Sequence, residues 1–255
     1  MNYIVSANTD IGTVKSTNQD SLTVKVLSTP QGRMAFAVLC DGMGGLSMGE
    51  VASASVIRAF DNWVNTELPL LCNSPLDAET IRREWESVLL TQNSLIKAYG
   101  GRQGVKLGTT AVVVLLTDTD YYIMNVGDSR AYEIKDSVQQ ITHDQTFVAR
   151  EIELGNMTPE EAESDERRNV LLQCIGASED VYPEFLTGKC ELNAVYMLCS
   201  DGFRHEVSHD EMLEKFHPNM LLDDSSMNNA SVELIELNKM RNERDNISVV
   251  LVRTF

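Results

Sequence analysis

An apolar run from Met34 to Cys40 stops on Asp41, and glycines follow at 42, 44 and 45. A strand that ends on Asp-Gly delivers a carboxylate to a sheet edge, and the glycines let backbone approach whatever that carboxylate holds. Alone, the pattern describes an ordinary turn. It constrains the fold because it recurs. Asn18-Gln19-Asp20 leads into the run 21–26, Asn125-Val126-Gly127-Asp128-Ser129-Arg130 ends the run 121–126, Ser200-Asp201-Gly202 ends 195–199, and Arg244-Asp245-Asn246 leads into 247–252. Antiparallel neighbours set the end of one strand beside the start of the next. All five carboxylates can therefore gather at one edge of stacked sheets. Such a cluster repels itself, and hard divalent cations with oxygen ligands are the usual remedy.

The 255 residues are 43% apolar, enough for a sizeable core, and no linker, low-complexity run or internal repeat divides them, so residues 1–255 are read as a single domain. A net charge of −17 disfavours nucleic acid and anionic membrane as partners. With no basic strip, it also disfavours a two-metal nuclease. Cys40, Cys72, Cys174, Cys190 and Cys199 form no Cys-x-x-Cys and have no histidine at zinc spacing. The start Met1-Asn2-Tyr3-Ile4-Val5 lacks the basic and apolar regions of a signal peptide, and no stretch suits a membrane span. The expectation is a reduced, cytoplasmic monomer.

Strands are expected at 4–8, 21–27, 33–40, 109–116, 120–126, 131–135, within 191–200, and at 246–253. A helix is expected over 49–65, with Ala52, Val56, Ala59, Phe60 and Trp63 on one face, and a longer one over 77–99, with Ile81, Trp85, Val88, Leu95 and Tyr99 on its face and Gly100-Gly101 as its stop. Residues 66–76 read as a loop. Further helices are expected at 146–154, 208–216 and 227–240, and Thr158-Pro159-Glu160-Glu161 has the order of a capping box. The remainder of 155–180 reads as an irregular polar flap, and His143, His205, His209 and His217 as surface residues. Many strands with paired helices fit an α+β layered sandwich.

These motifs, with Gly108-Thr109-Thr110 between them, resemble in order and spacing the PPM/PP2C family of metal-dependent serine/threonine protein phosphatases, in its compact bacterial form, over about residues 7–252. The resemblance implies a four-layer α-β-β-α sandwich and hydrolysis of phosphoserine and phosphothreonine by a hydroxide held between two metal ions, Mn2+ or Mg2+. It implies that Asp41 bridges the ions, that the Gly42 carbonyl ligates one, that Asp201 and Asp245 hold one, that Asp20 acts on the other through water, and that Asp128 shares a weaker third ion with Asp201. Phosphoproteins made by a serine/threonine kinase are the implied substrates. Four other matched residues read as structural: Thr109 and Thr110 as core hydrogen-bonders, Asn246 as a cap of the last strand or a brace for Asp245, and Arg130 as the partner of a core carboxylate.

The chain departs from the family pattern in several places. Lys15 stands where most active relatives have the arginine that clamps the phosphoryl group, which keeps the charge and loses the two-pronged geometry. Gln19 replaces a usual glutamate, Met43 fills the place of a histidine that some relatives carry, and Leu46 and Gln145 stand where histidines are common. Lys15 and Gln19 motivate an alternative reading, a weakly active or non-catalytic regulator that binds phosphoproteins. The complete carboxylate set argues for the enzyme.

Overall fold

The computed structural model describes residues 1–43 and 48–255. The glycine positions 44 and 45 and the departure at Leu46 lie outside the described residues. In chain order the elements are β1 (Tyr3–Asp10), β2 (Ser21–Thr29), β3 (Gly32–Cys40), α1 (Gly49–Thr66), α2 (Leu68–Leu71), α3 (Ala78–Gln103), β4 (Ala111–Leu116), β5 (Asp120–Val126), β6 (Arg130–Ile134) and β7 (Val138–Gln140). They continue with α4 (Phe147–Glu153), α5 (Pro159–Ser164), β8 (Glu184–Lys189), β9 (Val195–Cys199), α6 (Asp201–Arg204), α7 (His209–Phe216), α8 (Asp224–Met240) and β10 (Ile247–Thr254).

The strands form two antiparallel sheets of order β1-β10-β9-β6-β7 and β2-β3-β4-β5-β8. Alternation along each strand sends one side chain inward and the next outward. In β3, Ala35, Ala37 and Leu39 face the other sheet and pack with Val112, Val114, Leu198, Val250 and Val252. Met34, Phe36, Val38 and Cys40 face outward onto α1 and α3, among Val56, Phe60, Trp63 and Trp85. The other sheet turns Met197, Cys199, Val249 and Leu251 outward onto α7 and α8. Strands buried on both faces read as continuous apolar runs, and Met34 to Cys40 is one of them. The α-β-β-α sandwich is the expected fold.

Several local expectations are corrected. Helix α3 runs through Gly100 and Gly101 and ends at Gly104, which adopts the left-handed conformation at φ 69°. A Cβ on Gly100 would press on the Val105 carbonyl and Leu107, so that glycine serves close packing and not termination. The buried face of α3 is Ile81, Trp85, Leu89, Asn93, Ile96 and Gly100, and Leu95 is exposed. Residues 66–76 contain the short α2. The 191–200 strand shrinks to β9, while β8 was not anticipated because Gly188 interrupts its pattern. That glycine pairs with Tyr121, whose ring occupies the space a side chain would need.

Trp85 is the hub of the outer core, with Phe36, Phe60, Trp63 and Phe185 rings 5.6–6.3 Å from its own. Trp85→Ala is expected to cost about 3–5 kcal/mol, read as a lower urea midpoint at unchanged slope. Trp85→Phe should lose less.

Candidate functional site

The register of the sheets places the five aspartates. Ser21 pairs with Cys40, so Asp20 and Asp41 stand side by side at the open end of the β2–β3 hairpin. Arg130 and Val249 both pair with Cys199, which brings the β5–β6 turn of Asp128, the β9 end of Asp201 and the β10 start of Asp245 to the same edge.

Backbone contacts hold Asp41 in place. Its N–H donates to Thr110 Oγ1 at 3.0 Å, and its carbonyl accepts from Thr109 Oγ1 at 2.8 Å and from the Thr110 N–H at 2.9 Å. Thr110 Oγ1 in turn lies 2.7 Å from Ser129 Oγ beside Asp128. Gly42 donates its N–H to the Gln19 carbonyl, and a Cβ there would strike that carbonyl and the backbone of Gly49, so only glycine brings the Asp20 and Asp41 segments this close. Asn246 accepts from the Gln19 N–H and donates to the Ile11 and Thr17 carbonyls. It thereby ties the loop bearing Lys15 to the strand of Asp245. Arg130 pairs bidentately with Asp144, both bonds 2.7 Å, as the core-carboxylate reading expects.

The electrostatics are those of a crowded, dry cluster. Burial, then Asp20, Asp201, Asp128 and Asp245 in turn, push the Asp41 carboxyl well above the usual carboxylate range. Asp41 thus feels all four other aspartates. Burial is also the largest cause at Asp20, where Asp201 and Asp245 add to it and the Ser248 hydroxyl opposes it, and the carboxyl rises to about 7. Asp128 rises to about 7 through burial and Asp201, with Arg204 pulling against them.

Protein partners take up part of this charge. Lys15 Nζ sits 2.8 Å from Asp245 Oδ1, Ser248 Oγ donates to Asp20 Oδ2 at 2.6 Å, and Arg204 stands by Asp128. Among the described residues no three His, Cys, Asp or Glu side chains are already gathered as a ready ion site. Two oxygens, Asp20 Oδ1 and Asp201 Oδ1, are buried with no hydrogen-bond partner among the described residues. A buried carboxylate oxygen without a donor is costly unless a cation meets it. Oxygen-only donors, two of them unsatisfied, fit a hard divalent cation.

Four contributors were missed. Ser248, Glu243, Arg204 and His205 all belong to the edge. Glu243 accepts the N–H groups of Arg244 and Asp245 and shapes the turn before β10. His205 is half-buried, with Nδ1 3.3 Å from Glu243 Oε2 and Nε2 3.8 Å from Asp201 Oδ2, so it is not the surface residue expected. The available signal was spacing: Arg204 and His205 follow Asp201 by three and four residues, which one turn of helix brings to the same side.

Beyond Asp128 opens a groove of about 1390 Å3. Asp144, Arg130 and Arg204 line one wall, and Ala162, Glu163 and Arg168 of the 155–180 segment line another.

The profile of the protein phosphatase 2C family matches residues 13–236. The chain is 29% identical over 252 residues to the protein phosphatase PhpP of Streptococcus pneumoniae (strain D39), covering 97% of this chain and 96% of that protein. Its backbone is similar to that of the S. agalactiae serine/threonine phosphatase, with a TM-score of 0.82 at 26% identity over 100% of both chains. It is also similar to the catalytic domain of the serine/threonine protein phosphatase PstP in complex with two manganese ions, with a TM-score of 0.77 at 28% identity over 99% of both.

Raised carboxyl pKa values fix a sign for stability. Groups that titrate near 7 when folded and near 3.8 when unfolded bind more protons in the folded state between those values, so stability falls as pH rises through that window. In chelator, the melting temperature is expected to drop from roughly pH 5 to pH 8. Manganese should remove the drop, and Asp41→Asn in chelator should melt higher than the unsubstituted chain. Calorimetry at several pH values checks all three.

Proposed function

The chain belongs to the protein phosphatase 2C family, and on that premise we propose that Asp20, Asp41, Asp201 and Asp245, with the Gly42 carbonyl, hold two divalent cations, manganese or magnesium, at the shared sheet edge. The protein is a metal-dependent serine/threonine protein phosphatase. The observation that carries the site assignment is the convergence of four other carboxylates on Asp41. When bound, such cations lower the pKa of a nucleophilic water and offset charge on the phosphoryl oxygens during in-line displacement.

The chain's own groups do the positioning. Thr109 and Thr110 fix the Asp41 backbone, so its carboxylate would remain available to both ions. Ser248 orients Asp20. Lys15 holds an ammonium at the Asp245 side of the cluster, where we assign it to the phosphoryl oxygens of the substrate. A lysine does this as a point charge, without the fork of an arginine. Asp128 lies at the same edge but beside a guanidinium, and the two-ion set leaves it out.

The same reading treats residues 1–255 as one catalytic domain, supported by the pairing of the first strand with the last, Tyr3 opposite Thr254. The 155–180 flap walls the groove that leaves the site at Asp128, and we assign to it the choice of substrate sequence. The substrates are phosphoproteins made by a serine/threonine kinase, met by a monomer in the cytoplasm. The net charge of −17 argues against nucleic acid. No described helix is long and apolar enough to cross a membrane, and five unpaired cysteines suit a reducing compartment.

Turnover of an aryl phosphate and of a phosphothreonine peptide should require manganese, disappear in chelator and disappear in Asp41→Asn. Lys15→Ala should lose about 10- to 100-fold in kcat/KM, the worth of one charge-assisted hydrogen bond, and Lys15→Arg should retain activity. An unsubstituted chain that binds manganese yet turns over neither substrate would favour the regulator reading.

Exchanging 155–180 for the flap of a relative should change the ranking of phosphopeptides and leave aryl phosphate hydrolysis intact. An unchanged ranking would remove the flap from substrate choice.

A further inference from the structure

The carboxylates at the edge are not equally in need of a cation. Asp41 is crowded by other acids. Asp128 faces a permanent positive charge. Arg204 Nη2 donates to the Asp128 carbonyl at 3.2 Å and stands 3.7 Å from Asp128 Oδ2 and 3.4 Å from Asp144 Oδ2. These side chains retain only 11–13% exposure, so water screens the contact weakly. Arg130 grips Asp144 through two bonds of 2.7 Å, so Asp144 is a fixed anchor for Arg204. On the neighbouring carboxylate, Asp201, the next residue His205 sits one helical turn on, 3.8 Å away.

We propose that Arg204 is the resident cation at Asp128, and that this chain binds two metal ions where the family resemblance implies a third shared by Asp128 and Asp201. A guanidinium does not release its proton in a protein. A divalent ion entering between Asp128 and Asp201 would meet that charge at contact range in a nearly dry place. To admit the ion, Arg204 would have to leave Asp144 and the Asp128 carbonyl together. The third-ion reading therefore does not fit the residues present. Arg204 is a positioning residue: it balances Asp128 and, through the carbonyl bond, holds the β5–β6 turn that carries it. Without Arg204, Asp128 and Asp201 would be neighbouring buried carboxylates short of a counter-charge, the condition that recruits a cation.

The inference rests on the reading that manganese binds around Asp41. Calorimetric titration of the intact chain with manganese, with stoichiometry confirmed by bound-metal analysis after dialysis, tests both and separates them. The unsubstituted chain should bind two ions, and Asp128→Asn should still bind two. Arg204→Gln should gain a third, weaker ion, which Arg204→Gln combined with Asp128→Asn should lose again. Arg204→Lys should return to two, an outcome that a purely structural role for the arginine does not require. Three ions in the unsubstituted chain, with one lost in Asp128→Asn, would overturn the proposal whether or not the Arg204 variants fold. So would two ions in an Arg204→Gln protein whose circular dichroism is unchanged. Asp41→Asn binding as many ions as the unsubstituted chain would instead refute the location of the metal site.

Discussion

Mutual repulsion among the crowded carboxyls of Asp20, Asp41 and Asp201 is the load that the surrounding structure has to hold. No chain places carboxylates this way unless strong interactions elsewhere hold them there. Here the restraint comes from two sheets whose central strands, β3, β4, β9 and β10, are buried on both faces and whose registers end at one edge. It also comes from hydroxyl and amide groups that grip the backbone beside the acids and leave Asp20 Oδ1 and Asp201 Oδ1 without a donor among the described residues. Thr109, Thr110, Asn246 and Gln19 all work on backbone atoms. Most of this hydrogen bonding fixes backbone geometry, and in the proposed site the remaining charge falls to the cations.

Compensation is graded across the edge. At the rim, Lys15 meets Asp245 and Arg204 meets Asp128. At the centre, buried oxygens of Asp20 and Asp201 meet nothing. Among the described residues, Lys15 and Arg204 stand beside Asp245 and Asp128 while one oxygen each of Asp20 and Asp201 stays without a donor, an arrangement that fits exogenous positive charge at that point. The same gradient accounts for how a chain of net charge −17 handles a phosphorylated substrate. Its long-range field is repulsive, so the proposed site relies on bound ions and on Lys15 for attraction at short range.

Much of the sandwich was legible because its cause is local. Met34–Cys40, 120–126 and 247–252 carry apolar patterns long enough to name them as strands, and Asp41-Gly42, Gly127-Asp128 and Asp245-Asn246 mark their ends. The aspartates were legible for the same reason, since each sits where a strand stops or starts. What was not legible depends on tertiary partners. The glycines at 100 and 101 look like a helix stop, but packing against Val105 and Leu107 lets α3 continue. Gly188 weakens the pattern of β8, and only its neighbour Tyr121 explains its presence. His205 reads as a surface residue, and Arg204 carries no signal of its own, until the short α6 wraps both onto the edge.

The account makes one geometric claim from which its chemistry follows, that the divalent cations share Asp41. Anomalous diffraction from manganese-soaked crystals, collected at the manganese edge, tests it directly. The account predicts two peaks, both at coordination distance from the Asp41 carboxylate, one reaching towards Asp20 and the other towards Asp201 and Asp245. Peaks that lie away from Asp41, or a single ion that leaves Asp20 and Asp201 unliganded, would contradict it.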